Sequence, residues 1–283
     1  MTARRRDSGG ALRVVVRALD PDARAAAELW SRRLALPLVE PETRASDGFP
    51  AGAHGEPGRA PGGPGAVALE VGSDGLSLRS AGGPRVRVAP GEVLARPPGG
   101  RDVLLRAVGP LAPEASVVDA TAGLGADALR LAASGARVTM IERLPLVAAL
   151  LEDALERAAS GREGAAAQRA AERLTLLVGD ARILLPGLRP APSVVVIDPM
   201  YPASGKRSLP KKGMALFRSL VGEDADAPAL LEAALAVATS RVVVKRPRRA
   251  APLGEAAGAP PPSGSVVGTT SRYDIYAPRR PGS

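Results

Sequence analysis

The chain has 283 residues, 45% of them apolar, which is ample for a core in one large or two modest domains. It has no Cys, a single His (His54, in a Gly/Pro-rich stretch), no apolar run of about 18 residues and no apolar stretch behind its Arg-rich start; disulfides, a metal centre, membrane insertion and secretion are not expected, and a cytoplasmic setting is the simplest reading. A net charge of +9 makes a polyanionic partner worth weighing against compositional drift toward Arg, and charge alone does not separate the two.

In chain order, 12–17 (LRVVVR) reads as a strand, and 21–34 as a helix opened by Asp20 as N-cap and Pro21 in the first turn. Periodicity vanishes across 41–65, where Gly, Pro and Ala dominate, so this is predicted to be a surface insertion. Residues 66–71 and 76–78 form a predicted hairpin, because Asp74-Gly75 can supply the positive φ of a tight turn, and 85–88 could add a strand. A small α+β unit over 1–90 is therefore expected, followed by a second domain over 91–283.

Past a Pro/Gly-rich linker the pattern alternates: strand 116–119, helix 126–134, strand 137–142, helix 145–159, strands 174–179 and 194–198, helix 228–238 and strand 241–245. Alternation of this kind predicts a doubly wound, mostly parallel sheet. Two late extended pieces, 266–270 and 272–276, are close enough to be an antiparallel pair at its edge.

The chemistry concentrates at the carboxyl ends of these strands, where open α/β sheets bind ligands. In VVDATAGLGADAL, Gly123 and Gly125 permit close backbone approach ahead of a helix N-terminus. The turn also satisfies the loose dinucleotide fingerprint, with Glu142 near the spacing of a ribose-binding acid, so an NAD-type oxidoreductase is one reading. Asp119 disfavours it, since a carboxylate just before the turn suits an ammonium or sulfonium better than a pyrophosphate. Asp119, Glu142, Asp180 and Asp198 each could be a cap or a surface charge, but all four fall at ends of consecutive predicted strands and so point to one ligand site. Asp198 opens Asp-Pro-Met-Tyr, in which Pro199 and Pro202 fix φ on either side of Tyr201. Two basic clusters follow strand ends: Lys206, Arg207, Lys211 and Lys212 after the first, and Lys245, Arg246, Arg248 and Arg249 after the second. They are candidate phosphate contacts, with a solvated face as the alternative. An RNA-binding module without catalysis would need these clusters but no cofactor pocket.

The segments DATAGLGADA, IER at 141–143, DPMYP, KKGMALFRSLVG at 211–222, VVVKRP at 242–247 and RYDIY at 272–276, occurring in this order, resemble the RsmJ family. Its members are S-adenosylmethionine (SAM)-dependent methyltransferases of small-subunit (16S) ribosomal RNA that act on a guanine N2 amine. The resemblance runs from about Val117 to Tyr276, and it departs from the family at Ala126, where Arg is usual, and at Pro97-Pro98-Gly99-Gly100, where Phe-Gly-Gly-Gly is usual. It implies a Rossmann-like class I methyltransferase sheet, SAM as cofactor, and ribosomal RNA or a ribosomal particle as partner. It further implies that Ala126 and Asp127 meet the cofactor through the turn, Glu142 and Arg143 lie at its ribose, Asp180 and Ala181 near its adenine, and Asp198 between cofactor and target base. Asp198 and the Pro199 carbonyl would accept the amine hydrogens while Tyr201 stacks on the base. A related amine-directed methyltransferase acting on DNA or protein is the remaining alternative of the same class.

Overall fold

The computed structural model describes residues 13–39, 66–80, 83–96, 102–112, 115–200, 220, 224–255 and 258–278. Tyr201, Lys206, Arg207, Lys211 and Lys212, the 41–65 stretch and Pro97 to Gly100 lie outside them. The described residues divide into two compact units, one running to Arg87 and the other built on 88–200 and 224–278. No described helix is long and apolar enough to cross a membrane.

In the first unit, β1 (Arg13–Ala18) pairs in parallel with β2 (Leu38–Val39) and β3 (Ala66–Gly72), and β3 continues antiparallel through β4 (Gly75–Ser80) to β5 (Arg85–Val86). Asp20 caps a 3-10 turn, accepting from the Ala23 N–H at 2.8 Å, and α1 (Arg24–Leu34) follows directly. The hairpin loop is Ser73-Asp74, and its positive φ, +106°, falls on Gly75. Valines and leucines of β1, β3 and β4 are buried, and so is one carboxylate, Glu70, with 0% exposure. Burial of that charge is compensated by arginines: Glu70 is ion-paired with Arg17, with Arg85 at 3.0 Å, and with Arg79 at 3.9 Å.

The second unit begins with two short helices, α2 (Pro90–Ala95) and α3 (Val103–Val108), in the stretch expected to be a linker. Asp102 caps α3, accepting from Leu104 N–H at 2.9 Å and Leu105 N–H at 3.3 Å. Alternation follows: β6 (Ser116–Asp119), α4 (Ala126–Ala133), β7 (Arg137–Glu142), α5 (Pro145–Ala159), α6 (Ala165–Ala171), β8 (Leu174–Val178), α7 (Ala181–Leu184), β9 (Val194–Ile197), α8 (Ala227–Val237), β10 (Arg241–Pro247), β11 (Gly264–Val267) and β12 (Ser271–Tyr276). The sheet order is β11-β12-β10-β9-β6-β7-β8. Strands β8, β7, β6, β9 and β10 run parallel, while β12 is antiparallel to both its neighbours. This is the mostly parallel sheet with an antiparallel edge hairpin that the sequence predicts, its second strand lying inside the first.

Side chains alternate between sheet faces, so parity sorts the strand residues. Val118, Ile141, Val195, Ile197, Val242, Val244 and Tyr276 pack in one core with Leu230, Leu231, Ala234 and Leu235 of α8. The opposite parity, which includes Asp119, Glu142, Lys245 and Tyr273, belongs to the face on which α4 and α5 pack. All four residues of β9 are buried, as a central strand covered on both faces requires.

Candidate active site

The site lies at the carboxyl ends of β8, β7, β6 and β9, around the crevice between β6 and β9 where strand order reverses. Asp119 and Glu142 are the last residues of β6 and β7, Asp180 follows β8 after one glycine, and Asp198 follows β9 directly. The four acids thus stand on four neighbouring strands.

Glu142 is the post that holds the glycine turn. It is 7% exposed; Oε2 accepts from Gly123 N–H at 2.9 Å and Oε1 from Leu144 N–H at 2.8 Å. Burial raises its pKa, and these backbone donors work against that rise. Each oxygen keeps a second lone pair, enough to accept from a vicinal diol. The turn itself needs glycine: Gly123 and Gly125 have φ of +54° and +73°, and a Cβ on Gly125 would come within 2.8 Å of Leu151 Cδ2. Helix α4 starts at Ala126, immediately after the turn.

Asp119 is 3% exposed and accepts from Thr121 N–H at 3.2 Å. Burial, then the nearby Asp127 charge, pushes its pKa up to about 7. A carboxylate held at such a cost is suited to a cationic ligand. Thr121 also ties the two halves of the site together, because its Oγ1 accepts the Asp198 N–H at 2.7 Å.

Asp198 sits in a cluster that strand register explains. Val244 pairs with Ile197 in parallel, so the next residues, Lys245 and Asp198, are side by side; Lys245 also pairs with Tyr273 across the antiparallel ladder. Lys245 Nζ lies 2.7 Å from Asp198 Oδ2, 3.2 Å from Asp127 Oδ2 on α4, and 6.0 Å from the centre of the Tyr273 ring. Burial pushes the Asp198 pKa up and Lys245 opposes it. Burial disfavours the ammonium of Lys245, but Asp198 and Asp127 outweigh it and hold its pKa above the ordinary value. Burial, followed by the Asp127 charge, raises Tyr273 to about 12. Lys245, expected from the sequence as a candidate phosphate contact, thus has its ammonium between two carboxylates of the site. Arg246 likewise turns to its own loop, its Nε donating to the Ala251 carbonyl at 2.8 Å.

On the far side, Arg143 forms ion pairs with Asp224 and, at 3.0 Å, with Asp226. Arg182 bonds Asp180 through Nε at 3.0 Å and reaches Asp226 at 3.2 Å. Asp180 also caps α7 through Arg182 N–H at 2.9 Å, and the Arg182 bond lowers its pKa. Ala181 is buried at the first position of that helix. Asp224 accepts from Met200 N–H at 2.7 Å, next to the buried Pro199. Thr121, Arg182, Asp224, Asp226 and Tyr273 were not singled out from the sequence. Thr121 lies inside the glycine motif and Tyr273 inside RYDIY, but no local pattern shows that Asp224 meets Arg143.

Buried acids at successive strand ends, with a turn whose glycines hold positive φ, fit SAM, whose charged end is cationic and whose ribose offers two hydroxyls. The comparisons with known proteins agree. The family model described as "Putative SAM-dependent methyltransferase" matches residues 66–278. A Ribosomal RNA small subunit methyltransferase J from Pseudomonas aeruginosa (strain UCBPP-PA14) is 44% identical over 275 residues, covering 93% of this chain and 94% of that protein. A protein of the same name from Thioalkalivibrio sulfidiphilus is 54% identical over 163 residues, covering 57% of this chain and 61% of that protein. The crystal structure of a SAM-dependent methyltransferase from Neisseria gonorrhoeae superposes with a TM-score of 0.65 at 33% identity, covering 93% of this chain and 96% of that one. The oxidoreductase reading of the glycine turn is thereby set aside, and the chain belongs to the family of the Ribosomal RNA small subunit methyltransferases J, SAM-dependent enzymes.

Proposed function

We propose that this protein methylates the exocyclic N2 amine of a guanine in small-subunit (16S) ribosomal RNA, working in the cytoplasm. The observation that carries the reading is the placement of Asp198: it follows the central strand β9, is bonded through its N–H to the glycine turn, and opens the Asp-Pro-Met-Tyr segment. Met200 replaces the second Pro of the Asp/Asn-Pro-Pro-Tyr motif of amine-directed methyltransferases, which the segment otherwise resembles.

SAM supplies a methyl group on a sulfonium, already a strong electrophile. The protein's task is alignment more than activation, because the guanine amine is a poor nucleophile whose lone pair is delocalised into the ring. Asp198 and the Pro199 carbonyl accept the two amine hydrogens, which points the nitrogen lone pair at the methyl. Transfer would leave the S–C bonding pair on sulfur and bring positive charge to the guanine nitrogen. Asp198 stabilises that charge and takes the departing proton. Glu142 holds the ribose hydroxyls and the turn together, Asp119 faces the cationic end of the donor, and Ala126 with Asp127 carry the turn into α4. Asp180, Ala181 and Arg143 border the adenine and ribose. Tyr201 stacks on an unpaired or flipped base, and Lys206, Arg207, Lys211 and Lys212 contact phosphates; these assignments rest on the sequence.

Asp198→Ala tests the reading. Methyl transfer to 16S ribosomal RNA should nearly vanish at saturating donor, while donor affinity measured by calorimetry falls less. Equal losses in both would make Asp198 a cofactor ligand only.

A further inference from the structure

Lys245 is the feature that the proposed mechanism does not absorb. It lies at the carboxyl end of a central strand, in register with Asp198 on one side and Tyr273 on the other. Its ammonium bridges two carboxylates that come from different elements, Asp198 after β9 and Asp127 on α4. The bridge is only partly enclosed: the Lys245 and Asp198 side chains are 28% and 40% exposed, as a pair bordering a substrate crevice would be. Among the described residues the neighbouring charges are mostly acidic. Asp119 approaches from β6, Asp224 from before α8 and Asp102 from the start of α3, with Arg130 on α4 placed 3.6 Å from Asp127 as another cation.

We infer that Lys245 is a positioning residue for methyl transfer: by holding Asp198 Oδ2 against Asp127 it keeps Asp198 ionised and leaves Oδ1 to receive the guanine amine. This rests on the reading of Asp198 as the amine acceptor. The physical reason is a count of charges. Among the described residues Lys245 is the cation placed directly on Asp198; without it, partial burial and the charges of Asp127 and Asp224 favour the protonated acid, with Arg130 on Asp127 and Arg143 on Asp224 as the more distant cations. A protonated Asp198 loses an acceptor site and cannot take the amine proton. A carboxylate with no fixed partner would also be free to rotate away, whereas Lys245, itself anchored by Asp127 on α4, gives Asp198 Oδ2 a fixed one. The arrangement explains why a basic residue directly beside a basic run points inward instead of joining it.

The test uses the full-length protein, 16S ribosomal RNA as substrate and kcat measured against pH at saturating donor and RNA. In Lys245→Met the acidic limb of the profile should move upward by about one pH unit or more, the usual effect of removing an opposite charge at this distance. Lys245→Arg should keep the limb near its original place. Because the chain has no Cys, Lys245→Cys would carry the sole thiol, and alkylation with 2-bromoethylamine restores an ammonium at that position. Alkylation should return the acidic limb toward the wild-type position within one folded preparation, which keeps the test decisive if Lys245→Met does not fold. A limb that stays fixed while stability or overall rate drops would reduce Lys245 to a structural ion pair. A fixed limb with a shallower salt dependence of RNA binding would return it to the phosphate contacts. Asp198→Ala measured alongside separates the two levels. If that variant transfers methyl groups normally, the amine-acceptor reading falls and the role of Lys245 falls with it; if it is inactive and the Lys245 profiles do not move, the inference alone fails.

Discussion

Asp119 shows what a buried carboxylate costs this fold. Its pKa is raised from 3.8 to about 7, with burial as the main cause and the Asp127 charge next. Between those values the folded protein binds a proton that the unfolded chain does not, so stability falls as pH rises from about 4 to about 7 and the deficit persists above it. The size of the deficit is on the order of a few kcal/mol. Asp119→Asn should therefore melt higher than the parent at pH 8, with the difference shrinking toward pH 4, and should bind SAM more weakly. Thermal melts across pH and calorimetry check both halves; an Asn variant that is less stable at every pH would show that the ionised form is compensated. Glu142 behaves differently, since its carboxylate supports the turn. Glu142→Ala should lose about 1.5 to 3 kcal/mol of donor affinity, the range for a hydrogen bond to a charged group, and also some stability.

At the scale of elements, the β6–α4 turn is the part with least tolerance. Gly125 combines a φ of +73° with a space already filled by Leu151, and Gly135, at the other end of α4, has φ of +104° with nothing within 4 Å of its would-be Cβ. Ala at either position should cost about 1 to 2 kcal/mol for the left-handed backbone. Gly125→Ala should additionally weaken SAM binding, because the turn moves, whereas Gly135→Ala should leave it unchanged. Chemical denaturation paired with calorimetry on the two variants separates these outcomes. Several element boundaries were legible in the sequence: β6, β7 and α5 occupy the residues that its pattern assigns. Helix α6 (AAAQRAA) has no apolar-polar alternation to read and is held by packing on α4 and α5. Helices α2 and α3 span six residues each, too short for a period to emerge. Strand β2 is two residues long and exists only through pairing with β1.

For the whole molecule the relevant quantity is the net charge of +9. RNA affinity should fall linearly in log–log form with salt, while SAM affinity changes little. Replacing Lys211 and Lys212 by Ala should flatten the slope by about one unit for each phosphate that is no longer neutralised. Fluorescence anisotropy between low and physiological salt measures the slopes, and identical slopes would mean those lysines form a solvated face.

What the sequence determined by itself is the class of sheet, its order of strand and helix, and the four acids at the strand ends, because periodicity and strand-end position are local properties of a chain. Tertiary structure alone decided which of those acids keep a free face. Asp180 is bound by Arg182, Glu142 grips Gly123, and Asp198 is paired with Lys245. The case of Lys245 gives the physical reason: in Lys-Arg-Pro-Arg-Arg it reads as one more surface cation, yet strand register turns it toward Asp198 and Asp127. Charge in a sequence has a sign and a position, but its partner is set by neighbours that the chain brings together only on folding.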